Sequence, residues 1–255
     1  MKIAIITIAG ISSRFNEGIN EDEKVLKCIY NEGSASDTLL YHLMKKCSYA
    51  DRIILVGGYK FDDLCLYYKE NLVSQFPDVD LIKNDHYDDY ASGYSLYLGI
   101  NVALKYNPSE ILFVEGDLDF DAVSFERVVN SNNSVLTYTF DPIYAKKAVV
   151  LYQNRNGRYK YVFNSSHGLL QIDEPFSSIF NSGQIWKFMD ILALKKSNDA
   201  FEQKEIEGTN LCIIQRYVDY IKNDNISIIP LLSWVNCNTR DDYKIIKKRW
   251  EGSEQ

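Results

Sequence analysis

Strand-like apolar runs alternate with segments of helical period through the first half of the chain, and this constrains the fold most. Lys2 to Ala9 reads as a buried strand. Leu39, Leu40, Leu43, Met44 and Cys47 then recur at helical spacing, with Ser36 or Asp37 expected as N-cap. Arg52 to Gly57 is a second strand, followed by a helix from about Phe61 to Val73. Asp80 to Lys83 is a third strand, Ser92 to Leu104 a helix, and Glu110 to Glu115 a fourth strand ending in Gly116-Asp117. The alternation predicts an α/β fold with a mostly parallel mixed sheet covered by helices on both faces.

The pattern changes after about Ser134. Lys146 to Tyr152 and Arg158 to Phe163 are apolar-aromatic strands joined through Asn154-Arg155-Asn156-Gly157, a hairpin turn signal. Helices are expected near Gln184 to Lys195 and Glu207 to Ile221, then a strand near Ile226 to Pro230 and a terminal helix after Arg240. With no repeat or low-complexity linker, residues 1–255 read as one domain in three parts. A first part is expected over about residues 1–133, an antiparallel part over about 134–195, and a part that completes the fold over about 196–255.

A chain of 255 residues with 46% hydrophobic content can bury a sizeable core. A formal charge of −7, with both signs mixed along the chain, argues against a nucleic-acid or anionic-membrane partner. No apolar run reaches the roughly 18 residues of a membrane span. The five cysteines are scattered, with no Cys-x-x-Cys pair, as expected of reduced thiols in a cytoplasmic protein.

In an open α/β sheet, ligands collect beyond the carboxyl ends of the strands. The first such end is Ala9-Gly10-Ile11-Ser12-Ser13-Arg14. Small residues let backbone N–H groups approach a phosphate chain, and Arg14 adds a fixed cation. Lys24, before Val25-Leu26, can supply a second. Alone, such a loop is equally read as an ordinary strand-to-helix turn. The second end is Glu115-Gly116-Asp117-Leu118-Asp119-Phe120-Asp121, where Asp117 is the first choice to hold Mg²⁺. Asp119 and Asp121 read as solvated or as caps of the next helix. In Asn84 to Leu96, the polar groups Asn84, Ser92 and Ser95 with Ala91 suit a base edge, although capping explains Ser92 equally well. Asn238, in Trp234 to Asp242, is either a polar ligand or an N-cap, and spacing alone favours the cap.

Together these pieces resemble the sugar-phosphate nucleotidyltransferase superfamily, with its Rossmann-like, GT-A-like fold. Within it, the closest likeness is to the bacterial choline-phosphate cytidylyltransferase branch of surface-polysaccharide and capsule pathways. That branch's loop runs roughly A-G-x-G-S-R-F, then a Lys before an apolar pair. Here the loop is Ala9-Gly10-Ile11-Ser12-Ser13-Arg14-Phe15 with Lys24-Val25-Leu26. Asn84, Tyr87, Tyr94-Ser95-Leu96, Glu115-Gly116-Asp117 and Trp234…Thr239-x-x-Asp242 match as well. The chain departs from the pattern at Ser12 for a Gly, Glu23 for a Pro, Ala91-Ser92 for a paired Asn, and Asn238 for a second metal-binding Asp.

The resemblance implies a CTP-dependent cytidylyltransferase that transfers CMP to a small phosphorylated acceptor and releases pyrophosphate. Arg14, Lys24 and Asp117 would be catalytic. Ala9 to Arg14, Asn84, Ala91, Ser92, Ser95, Glu115 and Gly116 would bind nucleotide, and Asp117 with Asn238 would hold Mg²⁺. Aromatic residues of the second half, with Tyr144, Lys146, Asp173, Glu174 and Gln184, would line the acceptor pocket. A phosphocholine-like, phosphoglutamine-like or aminoethylphosphonate-like acceptor fits, although most of these aromatics are equally core residues. Two rivals stand beside this reading. Asp117-Leu118-Asp119 also fits the Asp-x-Asp of a GT-A glycosyltransferase, and the departures from pattern also fit a non-catalytic nucleotide-binding protein. The sequence leaves homodimer formation open.

Overall fold

The computed structural model describes residues 1–144, 149–162 and 170–253. In chain order the elements are β1 (Lys2–Ile8), α1 (Leu39–Cys47), β2 (Arg52–Gly57), α2 (Phe61–Tyr67), β3 (Val79–Lys83), α3 (Gly93–Leu104), β4 (Glu110–Glu115), β5 (Leu118–Phe120) and α4 (Ala122–Asn130). Then follow β6 (Ser134–Thr139), β7 (Val150–Asn154), β8 (Tyr159–Val162), β9 (Phe176–Phe188), α5 (Ile191–Lys204), α6 (Asn210–Tyr220), β10 (Ile226–Leu231), β11 (Trp234–Asn236) and α7 (Arg240–Ser253). The main sheet runs β10-β6-β9-β4-β1-β2-β3, with the β7–β8 hairpin branching from β9. The β4-β1-β2-β3 half is parallel, as is β10 to β6, while β9 runs antiparallel between β4 and β6. The expected mixed α/β sheet flanked by helices is what the chain forms.

Strand β1 is apolar from Ile3 to Ile6 because both its faces are covered. Ile3 and Ile5 pack in one core with Ile54, Leu96 and Phe113, while Ala4 and Ile6 pack in the other with Leu40, Leu43 and Val114. Each fully buried Leu or Ile contributes roughly 1.5–3 kcal/mol. The direction of strand order reverses at β1, since β2 and β3 lie to one side and β4 to the other. The carboxyl ends of β1 and β4 therefore open side by side, where such sheets bind ligands.

The structure differs from the sequence reading at several elements. The expected helix from Gln184 is strand until Phe188, because Trp186 and Phe188 face one core while Ile185 faces the other. Lys187 hides the strand pattern: its stem is buried, and its ammonium donates to Val129 O (2.7 Å) and Ser131 O (2.9 Å) and pairs with Glu110 (3.2 Å). Thr38, rather than Ser36 or Asp37, caps α1 by accepting from Tyr41 N at 3.1 Å. Thr239, rather than Asn238, caps α7: Thr239 Oγ1 accepts from Asp242 N, and Asp242 Oδ2 accepts from Thr239 N. The turn at Asn154–Gly157 does form a hairpin, with Gly157 at φ +76. Lys146 and Phe163 lie outside the described residues, as do Asn164 to His167. Among the described residues, no helix is long and apolar enough to cross a membrane.

Candidate functional site

The chain leaves β1 through a long loop that returns under the site as a 3-10 turn at Lys27–Ile29. Asn16 staples this loop. Its Nδ2 donates to Ser12 O (3.1 Å) and Val25 O (2.8 Å), and its Oδ1 accepts from Val25 N (3.1 Å). Phe15 anchors the loop from below, edge-on to Tyr30 at 5.2 Å. Ser12 sits at φ 55, a left-handed conformation that favours glycine and costs a serine on the order of 1 kcal/mol. This explains why the resembling loops carry Gly there. Ser12 Oγ in turn accepts from Lys27 N at 3.3 Å.

Gly116 makes the close approach at the exit of β4. A Cβ there would lie 2.1 Å from Ile8 Cγ2 and 2.7 Å from Thr7 O. Gly10 is the opposite case, since a Cβ there would meet nothing within 4 Å. The fold does not require glycine at that position; a ligand lying close over the backbone would.

These elements enclose a cavity of about 290 Å³ lined by Thr7 to Gly10, Ser12, Leu26 to Cys28, Asn84, Tyr87, Tyr90 to Ser92, Ser95 and Glu115 to Asp117. Of the nucleotide-binding residues expected, Ala9, Gly10, Ser12, Asn84, Ala91, Ser92, Ser95, Glu115 and Gly116 meet here, together with Asp117. Ile11, Ser13 and Lys24 line an adjoining cavity of about 300 Å³ that shares Tyr87. Lys24 pairs there with Glu21, which raises its ammonium above the ordinary value. Arg14 is exposed and lines neither cavity; among the described residues it has no ion-pair partner.

The residues expected at a base edge are tightly fixed. Asn84 is buried, donates to Ser95 Oγ at 2.9 Å, and accepts from His86 N at 2.8 Å. The start of α3 docks on the loop before α6. Ala91 N donates to Glu207 O (3.2 Å), Gly93 N donates to Gly208 O (3.1 Å), and Ser92 Oγ accepts from Asn210 N (3.2 Å). Ser92 therefore caps α6 rather than its own helix.

Two carboxylates face the cavity from the end of β4. Glu115 Oε1 accepts from Asn210 Nδ2 at 2.7 Å. Burial, then the charge of Asp117, pushes the Glu115 carboxyl up to about 7, against the pull of Asn210 and Lys27. Asp117 Oδ2 accepts from Lys27 Nζ at 2.8 Å, while Asp117 Oδ1 is buried with no partner. The antiparallel β5–β11 pair swings the C-terminal segment alongside, where Cys237 N donates to Asp117 O at 2.7 Å. Next along the chain, Asn238 Oδ1 is also buried without a partner. A carboxylate oxygen and an amide oxygen are donor types that suit Mg²⁺, which takes few protein ligands and completes its shell with water and phosphate, and of the two residues Asp117 lines the cavity while Asn238 lines neither. Among the described residues no three His, Cys, Asp or Glu side chains group to hold a metal, so such an ion would need those outside ligands. Burial pushes the Cys28 and Cys237 thiols up to about 12, which removes thiolate chemistry from the site.

The other expected residues lie elsewhere. Glu174 is engaged by Lys160 (2.8 Å), Tyr152 (2.8 Å) and Asn154 (3.0 Å), and these contacts hold its carboxyl down at about 2. Asp173 is exposed beside Gln171, and Tyr144 is exposed. Gln184 is buried at φ 57 and meets Asn236 Nδ2 at 3.5 Å. None of these lines either cavity. Trp186 is core: it stacks on Phe113 at 5.1 Å and donates to Tyr161 Oη at 2.7 Å. Sequence reasoning missed Lys27, Asn16 and Asn210. Lys27 stands only three residues after Lys24, and no motif marks it.

The fold is shared with solved structures, of which three follow. The first is the inositol-1-phosphate CTP transferase from T. maritima, with TM-score 0.67, 17% identity, and 97% of this chain and 96% of that chain covered. The second is a putative glucose-1-phosphate thymidylyltransferase from Bacillus anthracis in complex with a sucrose (0.66; 13%; 97% and 94%). The third is HddC from Yersinia pseudotuberculosis complexed with GMP-PN (0.60; 17%; 98% and 100%). At these identities the likeness establishes the fold. Comparison with curated proteins finds no match. A family model matches residues 23–250, which is most of the chain, and the protein belongs to that family, described as "Domain of unknown function (DUF6564)".

Proposed function

We propose that this protein is a nucleotidyltransferase that uses CTP and Mg²⁺ to transfer CMP to a small phosphorylated or phosphonate acceptor. The observation that carries this reading is the convergence of Ala9, Gly10 and Ser12, of Asn84, Ala91, Ser92 and Ser95, and of Glu115 to Asp117 on one cavity at the β1/β4 switch point. The fold shared with structures described as a CTP transferase and a thymidylyltransferase supports it.

In this reading the backbone at Ala9 and Gly10 lies along the triphosphate, and Arg14 and Lys24 meet its outer charge. Asn84, held by Ser95, shapes the turn that faces the base. Asp117 and Asn238 would hold the ion, which when bound offsets phosphate charge. An oxygen of the acceptor's phosphate or phosphonate forms a bond to the α-phosphorus as the bond to the β-phosphate bridging oxygen breaks, and pyrophosphate leaves with that electron pair. The attacking oxygen is already ionised, so no protein nucleophile is required, and positioning with electrostatic stabilisation supplies the acceleration. The Asp-x-Asp glycosyltransferase reading is weaker, because Asp119 does not line the cavity that Asp117 lines.

Thermal unfolding with CTP, UTP, ATP and GTP, each with and without Mg²⁺, tests the reading. Nucleotide at about 100 times its dissociation constant adds roughly 2.7 kcal/mol. CTP is expected to stabilise most, and pyrophosphate release should then appear with phosphocholine, phosphoglutamine or aminoethylphosphonate. Preference for another nucleotide would overturn the base assignment. Stabilisation by nucleotide without pyrophosphate release from any acceptor would favour the binding-protein reading.

A further inference from the structure

The cation that touches Asp117 is not the loop lysine of the resembling pattern but Lys27. Its Nζ donates to Asp117 Oδ2 at 2.8 Å and to Cys237 O at 2.9 Å. The backbone at Lys27 cannot move far. Leu26 and Cys28 on either side are buried, Lys27 N is bonded to Ser12 Oγ, and Asn16 fastens Val25. The four-carbon side chain is the free part, and it lies on the wall of the cavity shared by Gly10, Ser12 and Asp117. An ammonium bonded to one carboxylate oxygen opposes a divalent cation at the other by like-charge repulsion. Yet Asp117 Oδ1 and Asn238 Oδ1 are both left bare.

We propose that Lys27 is a phosphate-binding residue parked on Asp117, which keeps divalent metal off the site until a polyphosphate draws the ammonium away. The proposal rests on the nucleotidyltransferase reading for the identity of the polyphosphate, but not for the competition at Asp117. With no anion in the cavity, Lys27 has Asp117 and the Cys237 carbonyl as partners. An incoming triphosphate offers several charged oxygens, and the ammonium moves to them along the cavity wall. Asp117 then faces the site with both oxygens available. Metal and polyphosphate thus bind with positive coupling, and such coupling is reciprocal.

The test uses the full-length protein and two probes, Mn²⁺ alone and inorganic tripolyphosphate in metal-free buffer. Free Mn²⁺ is counted by electron paramagnetic resonance, and tripolyphosphate binding is followed by calorimetry. Lys27→Met should bind Mn²⁺ about tenfold more tightly than the parent and tripolyphosphate about tenfold more weakly, within the usual range of site coupling. Adding Asp117→Asn to Lys27→Met should abolish the gain in Mn²⁺ affinity. Lys27→Arg, which keeps the charge, should bind Mn²⁺ as weakly as the parent. If Lys27→Met lowers thermal stability so far that it does not fold, Lys27→Gln, which still donates to both oxygens, replaces it with the same expectations. Unchanged Mn²⁺ affinity, or unchanged tripolyphosphate affinity, in the charge-removing variant overturns the proposal. Absence of pyrophosphate release with CTP would count against the nucleotidyltransferase reading alone, because neither probe depends on turnover or base.

Discussion

Asp117 and Asp119 stand two residues apart beyond β4, yet one faces the cavity at the β1 and β4 ends and the other a cleft between α1 and α7. Around Asp119 both oxygens face cations. Oδ1 accepts from Lys46 Nζ (2.9 Å) and Trp250 Nε1 (3.0 Å), and Oδ2 faces Arg249 Nη1 at 3.6 Å. The carboxylate is 6% exposed, and His42 stacks on Trp250 at 3.8 Å over the same cleft. Around Asp117 there is one lysine, a bare oxygen, and a second carboxylate at Glu115 whose charge is disfavoured. A carboxylate surrounded by fixed donors holds elements together. One with spare capacity beside a cavity is arranged for something that arrives from outside. Asp121 is a third variant: it caps α4 through Ser124 N at 2.7 Å and fastens Ser233 N at 3.0 Å.

The largest effect that would break this contrast is at Asp119. Asp119→Ala leaves Lys46 and Arg249 facing each other in the cleft and should cost about 3 kcal/mol of unfolding free energy in urea. Nucleotide affinity per folded molecule should be unchanged. A loss below about 1 kcal/mol would mean that Asp119 is not the structural partner of the pair.

Asp117→Asn should show the reverse. Its unfolding free energy should change by about 1 kcal/mol or less, while turnover with CTP and the best acceptor falls roughly 10²–10³-fold. Equal losses of stability and turnover would erase the distinction between the two carboxylates. A smaller effect sharpens it at Gly10. Gly10→Ala should leave stability unchanged or raise it by up to about 1 kcal/mol, while nucleotide affinity in thermal-shift titrations drops about tenfold, or 1.4 kcal/mol. Undiminished affinity would show that no ligand approaches that backbone.

The smallest effect is one of pH at the Asp119 cleft. Burial first, and the Lys46 charge second, lower His42 from 6.5 to about 4, so folding favours the neutral ring. That contribution is present above pH 6.5 and is lost as pH falls through about 4. His42→Phe keeps a ring on Trp250 but has no proton to gain. Its unfolding free energy should therefore fall less steeply than the parent's over this window. Identical slopes would place the acid sensitivity on other groups.

Much of this arrangement was legible before any coordinates. Ile3 to Ile6, Ile53 to Val56 and Ile111 to Val114 are continuous apolar runs, and such runs separated by helical periods specify a parallel sheet. The glycines and small residues after β1 and β4 marked where its ligand edge lies. Less legible was β9, because a strand covered on both faces and interrupted by the buried Lys187 has no alternation to read. The residues expected at the acceptor, Tyr144, Asp173, Glu174 and Gln184, were grouped by composition, which carries no information about direction. Glu174 turned out to be occupied by Lys160, Tyr152 and Asn154 on the hairpin.

By itself the sequence determined the order of strands and helices from β1 through β4 and the loops at the β1 and β4 ends, because local periodicity and turn chemistry depend on near neighbours. Only the tertiary structure decided which charge meets which. Lys27 is 90 residues from Asp117 and Lys46 is 73 from Asp119, so no local pattern couples them. Their pairing follows from where α1, the β5–β11 ribbon and α7 pack, and that packing separates a carboxylate with a bare oxygen from one whose two oxygens both face cations.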